Sequence, residues 1–342
     1  MKKLLLILTA LIVCMSFAGC YDMTEIEDIK TVSVVCVENG KITYCTITTS
    51  PEEKKYGFEL YPIKTEDLYE GLNSISVKSG KEISVSHLGA IMFKKDCPPS
   101  LIRSVCTSAI GGSEFHPKVM TAFVDMDFDE FFEKMSVPAD SIMYKKITDV
   151  LNDRYAAATE CTVMDLYHGI MHETLGVNMP VISLDEDGNI VISGSGHISG
   201  LKVGFIDKEL TDTVNLLENS GKPVYYKLKD GSVAAKVVGG YVNFDKEKNH
   251  IYISLDIGAS GGGKFVSDSM ESELEERIYS DVIKICNQKN NGFDILHLNR
   301  EMLKKFKTEN SFDYFKNSKG GFSGMMKSLD FDIEIRAKDG DV

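Results

Sequence analysis

No two cysteines stand in a CxxC spacing anywhere in the 342 residues. That excludes a zinc ribbon and a thioredoxin-like redox motif. Positive charge is scarce: 38 Lys and Arg face 51 Asp and Glu, a net charge of −13. A nucleic-acid partner needs a basic surface, so that class is excluded. The same deficit disfavours peripheral binding to anionic lipid. No long apolar run follows Cys20, so the body after it carries no second membrane segment. Apolar residues make up 43% and charged residues 26% of the chain, ordinary globular usage rather than disorder. No internal repeat is visible.

The first twenty residues, MKKLLLILTALIVCMSFAGC, carry the strongest signal. Lys2 and Lys3 precede a nearly unbroken apolar run from Leu4 to Phe17, and Ala18-Gly19-Cys20 closes it. A spanning helix needs roughly 20 apolar residues. This run is shorter and is interrupted by Thr9, Cys14 and Ser16. Plain secretion would use Ser16-Phe17-Ala18 as a cleavage site, and a buried core segment would not begin with two lysines at the extreme N-terminus. The small-small-Cys ending resembles the lipobox of bacterial lipoproteins, with Phe17 where an aliphatic residue is usual. The expectation is a lipoprotein signal peptide over 1–19 and a diacylglycerol thioether on Cys20. Each buried CH₂ of the acyl chains contributes about 0.8 kcal/mol, so two or three chains hold an acidic body on the outer face of a membrane.

Six cysteines follow the leader: Cys36, Cys45, Cys97, Cys106, Cys161 and Cys286. They are too sparse for a disulfide scaffold. Residues 31–50 alternate as a hairpin around Asn39-Gly40. That register sets Glu38 against Lys41 and Cys36 against Thr43, with Cys45 diagonal to Cys36 on one face. Diagonal partners lie about 7 Å apart, the limit of disulfide reach, so buried free thiols are expected. Thr65 caps a helix whose stripe is Leu68, Leu72 and Ile75, and Gly80 ends it. Glu82 to Phe93 reads as one strand, Pro99 to Ile110 as a helix, and Lys118 to Asp125 as a strand. Three helices are expected at 128–135, 141–155 and 163–175.

Pro180 and the turn Asp185 to Asn189 mark a boundary. It divides an N-terminal α/β region, 20–185, from a C-terminal α/β region, 186–342. The latter is strand-rich over 189–258, with a helix from Asp207 to Asn219, and helical over 267–316. A strand closes it at 329–335. Gly258 to Gly263 reads as a flexible connection, and Ser267 to Gln288 as the longest helix. Irregular interleaving gives α+β, with mixed α/β domains, rather than a doubly wound sheet.

Chemistry-bearing patterns are weak. Asp165, His168, His172 and Glu173 share a helix, but the HExxH order is absent and no further ligand is marked, so a half-exposed helix edge outweighs a metal site. Gly258 to Lys264 lacks the Ser or Thr that follows Gly-Lys in a P-loop. Ser193 to His197 is not GxSxG, and reads as a close-packed or bulged strand. No catalytic, cofactor or metal residue is assigned.

Four segments, in order, resemble the spore germination Ger(x)C family, the lipoprotein C subunits of germinant receptors. Tyr21 to Asp28 is similar to its Cys-Trp-Asp…Glu-Ile-x-Asp opening. Gly80 to Leu88 is similar to its Gly-Arg-x-Ile…Ser-His segment. Gly194 to Asp207, followed by the Glu209–Leu217 helix, stands at its Gly-x-Ala-Val-Phe stretch. Phe293 to Leu298 stands where it has Ala-Asp-x-Leu-Gly-Phe-Gly. Tyr21 and Tyr314-Phe315 replace tryptophans, and the glycines after Leu298 are missing, so the resemblance is to a divergent member. It implies three mixed α/β domains, no enzymatic step, and a place on the outer face of the spore inner membrane beside A-type and B-type receptor subunits. An extracytoplasmic solute-binding lipoprotein is the alternative.

Overall fold

A computed structural model describes residues 29–50, 55–112, 114–135, 143–152, 159–171, 176–218, 223–245, 247–261, 266–288, 294–298, 302 and 328–340. The leader, Cys20, the Tyr21–Asp28 opening, His172, Glu173 and Tyr314-Phe315 lie outside them, as do nearly all the residues of the short helices expected after Gln288.

Strands β1 (Ile29–Glu38) and β2 (Lys41–Ser50) form the hairpin, and β3 (Lys55–Ile63) pairs next to β2. Glu38 faces Lys41 and Cys36 faces Thr43, while Cys45 faces Val34. The two thiols therefore share a face diagonally and remain free. Helix α1 (Leu68–Ser79) is capped by Asp67 rather than Thr65. Asp67 Oδ1 accepts the N–H groups of Tyr69 and Glu70 at 2.9 and 2.8 Å. Thr65 Oγ1 instead accepts the Asp67 N–H at 3.0 Å, which orients the cap. Gly80 ends the helix with φ +67, a conformation that costs a Cβ-bearing residue stability.

The expected strand Glu82–Phe93 is two strands, β4 (Glu82–Ser84) and β5 (Ala90–Lys94). Both pair in parallel with β1. The chain turns between them, with the Leu88 N–H on the Val85 carbonyl. Val85 and Leu88 are both buried, and their packing favours the detour over a continuous extended run.

The chain continues through α2 (Pro99–Gly111), β6 (Met120–Val124), α3 (Phe128–Lys134), α4 (Met143–Leu151), α5 (Val163–Met171), β7 (Val177–Leu184), β8 (Ile190–Ser199) and β9 (Lys202–Asp207). One sheet results, in the order β3-β2-β1-β5-β6-β7-β8-β9, with β4 beside β1. Its centre, β1-β5-β6-β7, is parallel, and both flanks are antiparallel. Val35, Val37, Ile91, Phe93, Phe123 and Val181 pack toward α1, α2 and α5. Their neighbours Val34, Cys36, Met92, Ala122, Val124 and Ile182 pack toward α3 and α4. Strands covered on both faces are apolar at nearly every position, as Ala90–Phe93 of β5 and most of β6 are; Thr121 of β6 is buried with its hydroxyl donating to the Cys161 carbonyl at 3.0 Å.

The turn Asp185–Asn189 is not a domain boundary. It joins β7 to β8, antiparallel neighbours in the large sheet. Asp185 Oδ1 accepts the N–H groups of Asp187 and Asn189, holding a tight hairpin turn. Polar turn chemistry looks alike in a hairpin and in a linker. The chain leaves the large sheet only after Asp207.

Helix α6 (Lys208–Glu218) leads to β10 (Val224–Leu228), β11 (Gly231–Asp245), β12 (His250–Ser260), α7 (Asp268–Asn287) and β13 (Asp330–Asp339). These strands form a second sheet, β10-β11-β12-β13, antiparallel except for the parallel pair β12-β13. Gly258, Ala259 and Ser260 belong to β12, where partners on both sides override the local freedom of glycine. Leu274, Ile278 and Val282 of α7 cover one sheet face. Glu271 and Glu275 of α7 accept the Asp339 and Ala337 N–H groups at 2.6 and 2.7 Å, satisfying donors on the outer edge of β13. Among the described residues no helix is long and apolar enough to cross a membrane.

All six described cysteines are buried and free. Burial pushes the Cys45, Cys97 and Cys161 thiols up to about 12, and those of Cys36 and Cys106 up as well. Thiolate is the reactive form. The native body is therefore expected to resist Ellman's reagent at pH 8 at these six positions and to react at all six in denaturant. Fast labelling of any of the six by peptide mapping would contradict the packing.

Candidate functional site

Helix α6 lies between the two sheets. Asp207 caps it, accepting the Leu210 N–H at 2.9 Å. Leu210 and Val214 pack with Ile206, Ile285 and Ile295, while Leu216 enters the core of the second sheet. Thr211, Thr213 and Asn215 are buried as well. A helix that polar is buried only if its side chains find partners in the elements on either side.

Thr211 Oγ1 donates to the Asp207 carbonyl and Asn215 Oδ1 accepts from Thr159, while two polar nodes engage Thr213 and Glu218. In the first, Asn178 of β7 donates from Nδ2 to Glu218 Oε1 at 2.8 Å and to the Ile295 carbonyl at 2.9 Å. Its Oδ1 accepts from His197 Nδ1 of β8 at 2.8 Å. His297 Nε2 meets the same Glu218 oxygen at 2.8 Å. His297 sits at φ +51, in a turn held by Asp294, whose carbonyl accepts the His297 N–H and whose carboxylate accepts the Leu298 N–H. One amide thus ties the large sheet to α6 and to the turn after α7. Burial, and then the neighbouring His297, push the His197 imidazole down to about 3, so it is neutral at physiological pH.

In the second node the fully buried Asp281 of α7 accepts from Thr213 Oγ1 at 3.1 Å and pairs with Arg277 Nε at 3.1 Å and Lys284 Nζ at 3.3 Å. Arg277 also reaches Glu209 of α6 at 2.8 Å. Tyr226 of β10 lies 3.2 Å from Thr213 and completes the link. Charges placed this way orient elements against each other.

The structure brings together two of the four resemblance segments: His197 comes from Gly194–Asp207, which α6 follows, and Ile295 and His297 come from Phe293–Leu298. Gly80–Leu88 lies apart, around β4. Gly194 and Gly196 in β8 are required by packing. A Cβ at Gly194 would stand 2.4 Å from the Ile206 carbonyl oxygen, and one at Gly196 2.6 Å from the Phe123 ring. Ser193 is the extra residue of a bulge opposite Val181 and Ile182. Asp165 forms a capping box with Thr162 at the start of α5: its carboxylate accepts the Thr162 N–H at 3.0 Å, and Thr162 Oγ1 accepts its N–H at 3.2 Å. His168 is exposed beside Tyr167, so it does not join Asp165 in a ligand set. Among the described residues no three His, Cys, Asp or Glu side chains are grouped to hold a metal. Sequence reasoning missed Asn178 and Asp281. Their signals were a lone amide in the apolar run Val177–Leu184 and an acid three residues after Ile278, on the buried stripe.

The architecture matches a solved structure described as the crystal structure of the GerBC protein, with a TM-score of 0.53 and 12% sequence identity. The match spans 88% of this chain and 94% of that one. The chain has a Ger(x)C-like fold. No family model matches the sequence, and no curated protein does. At this identity the likeness to GerBC is one of fold, carried by topology and packing rather than by shared residues.

Replacing Asn178 with Ala is expected to cost about 1–3 kcal/mol, because it strands buried partners on three elements. Urea unfolding measures it, and a change below about 0.5 kcal/mol, the size of an ordinary surface substitution, would remove Asn178 from its role. His197 gives a signed pH effect. Its folded form binds no proton until about pH 3, whereas the unfolded form titrates near 6.5. Its stabilisation is complete above the unfolded value and is lost as pH falls below it. His197→Gln is expected to be less stable at pH 7, yet to lose stability less steeply than the parent between pH 6.5 and pH 5. Parallel slopes for the two proteins would contradict this assignment.

Proposed function

We propose that the chain is a lipid-anchored, non-enzymatic subunit of a nutrient germinant receptor, acting in spore germination by contact with membrane-embedded A-type and B-type subunits. The observation that carries this reading is the match to the GerBC architecture over 88% of the chain. The leader ending in Ala18-Gly19-Cys20 supports it independently. An anchor at Cys20 confines the body to two dimensions on the outer membrane face and raises its effective concentration beside its companions. The chain's acidic balance, a net charge of −13 over the full sequence, gives the body no electrostatic pull toward anionic lipid, so attachment rests on the acyl chains. The candidate site fits such a role: two nodes hold two sheets in one arrangement, and a fixed surface is what a scaffold subunit offers its partners.

Deleting the gene is expected to abolish nutrient-triggered germination and to leave sporulation intact. Cys20→Ala is expected to move the chain from the membrane fraction to the soluble fraction and to give the same germination defect. Normal germination of the deletion strain, in a background with no paralogue, would overturn the reading. Unmodified Cys20 by mass spectrometry would overturn the anchor.

A further inference from the structure

Strand β13 ends the second sheet, and α7 runs beside its outer edge in the opposite direction, with Glu271 on the Asp339 N–H and Glu275 on the Ala337 N–H. Four residues of helix rise about 6 Å and two residues of strand about 6.6 Å, so the two elements stay in step. The next steps set Tyr279 beside Ile335 and Ile283 beside Ile333. Neither of these helix side chains carries a carboxylate. N–H direction alternates along a strand, so the Ile335 and Ile333 N–H groups point outward as those of Ala337 and Asp339 do. Among the described residues neither meets an acceptor on that side. One half of the edge is closed by acids of α7, and the other half is open.

A cavity of about 360 Å³ lies against the open half. Phe331 and Ile333 form its strand wall, and Tyr279, Ile283 and Asn287 of α7 border it on one side. Tyr279 is exposed and Ile283 half-buried. Asp332 and Glu334 border it on the other face of the sheet, with side chains 71% and 57% exposed. Asp330 stands two residues before Asp332 on the same face and is exposed too. Asp332 lies 3.1 Å from His250, and Glu334 2.7 Å from Arg336, in pairs too wet to hold either acid firmly.

This edge specifies what can lie on it. A strand added beside β13 offers carbonyls to the Ile333 and Ile335 N–H groups and sends its side chains alternately to the two faces. Those on the α7 face meet Tyr279, Ile283 and Ile333, which suits apolar residues. Those on the opposite face stand beside Asp330, Asp332 and Glu334, which suits basic ones. A second copy of this chain fits poorly. Antiparallel pairing of two β13 edges about Ile333 sets Asp332 of each copy against Glu334 of the other, and like charges directly opposite are destabilising. We propose that the open half of the β13 edge docks an extended segment of a partner protein in which apolar residues alternate with Lys or Arg. The site belongs to the second sheet and does not depend on the proposed receptor role.

The test is fluorescence anisotropy of a labelled Gly-Lys-Val-Lys-Val-Lys-Val-Gly peptide titrated with the purified full chain. Two controls accompany it: the same residues ordered Gly-Lys-Lys-Lys-Val-Val-Val-Gly, and the alternating peptide with Glu in place of Lys. Saturable binding of the alternating basic peptide is expected below roughly 100 μM, with both controls at least about tenfold weaker. Asp332→Lys combined with Glu334→Lys changes two exposed positions. That variant is expected to bind the basic peptide about tenfold more weakly and to prefer the Glu peptide. In the parent protein, amide hydrogen exchange over 331–336 is expected to slow with the alternating basic peptide, a readout that needs no variant to fold. No saturable binding up to about 1 mM would overturn the proposal. So would equal binding of the reordered peptide, unchanged affinity in the folded double variant, or exchange over 331–336 that the peptide leaves unchanged. A dimer of the chain in sedimentation that the peptide dissociates would assign the edge to a second copy and overturn it as well.

Discussion

Helix α6 is buried between two sheets although its buried surface includes Thr211, Thr213 and Asn215. A buried polar group without a partner costs more than a buried methyl gains, so the arrangement of both sheets is tied to satisfying this helix. Thr213 meets Asp281 and Tyr226, and Asn215 accepts from Thr159. Glu218 at its end gathers Asn178 and His297. Hydrophobic contact between α6 and its neighbours is non-directional and would tolerate sliding. The hydrogen bonds have direction and restrict α6 to one register against β7, β10 and α7.

The two sheets solve burial differently. The large sheet hides both faces beneath helices, so its centre is mostly apolar, and the buried Thr121 and Asn178 there have hydrogen-bond partners. The second sheet is covered by α7 on one face, and its opposite face shows Tyr225 and Tyr241 at the surface. The thiols are raised by burial and the one fully enclosed imidazole is lowered by it. Both shifts favour the neutral, inert form.

Much of the local structure was legible in the residues. The alternation around Asn39-Gly40 set the hairpin register to the residue, because a two-residue loop admits few pairings. The stripe on α7 was visible because a twenty-residue amphipathic helix repeats its signal five times. Errors arose where local and distant preferences conflicted. Glu82 to Phe93 has strand-like composition throughout, but Val85 and Leu88 gain more by turning into the core. Gly258 to Gly263 suggested a flexible connection, but Gly258 and Ala259 are held extended by two ladders and Ser260 by one. Asp185 to Asn189 carries turn chemistry that is identical whether the next strand returns to the same sheet or leaves it.

The division follows the range of the forces. The Asn39-Gly40 turn and the helical stripes depend on residues within about a turn or two of one another, so the order of residues was enough to place them. Asn178 meeting Ile295, or Lys94 facing Asp127, depends on segments brought together only when a sheet closes. The hydrogen bond from the Asn178 amide of β7 to the Ile295 carbonyl after α7 spans 117 residues of chain, and no local pattern encodes such a pairing. Long-range hydrogen bonds and ion pairs are chosen by the packed backbone, which sets which polar groups are buried side by side and must satisfy one another.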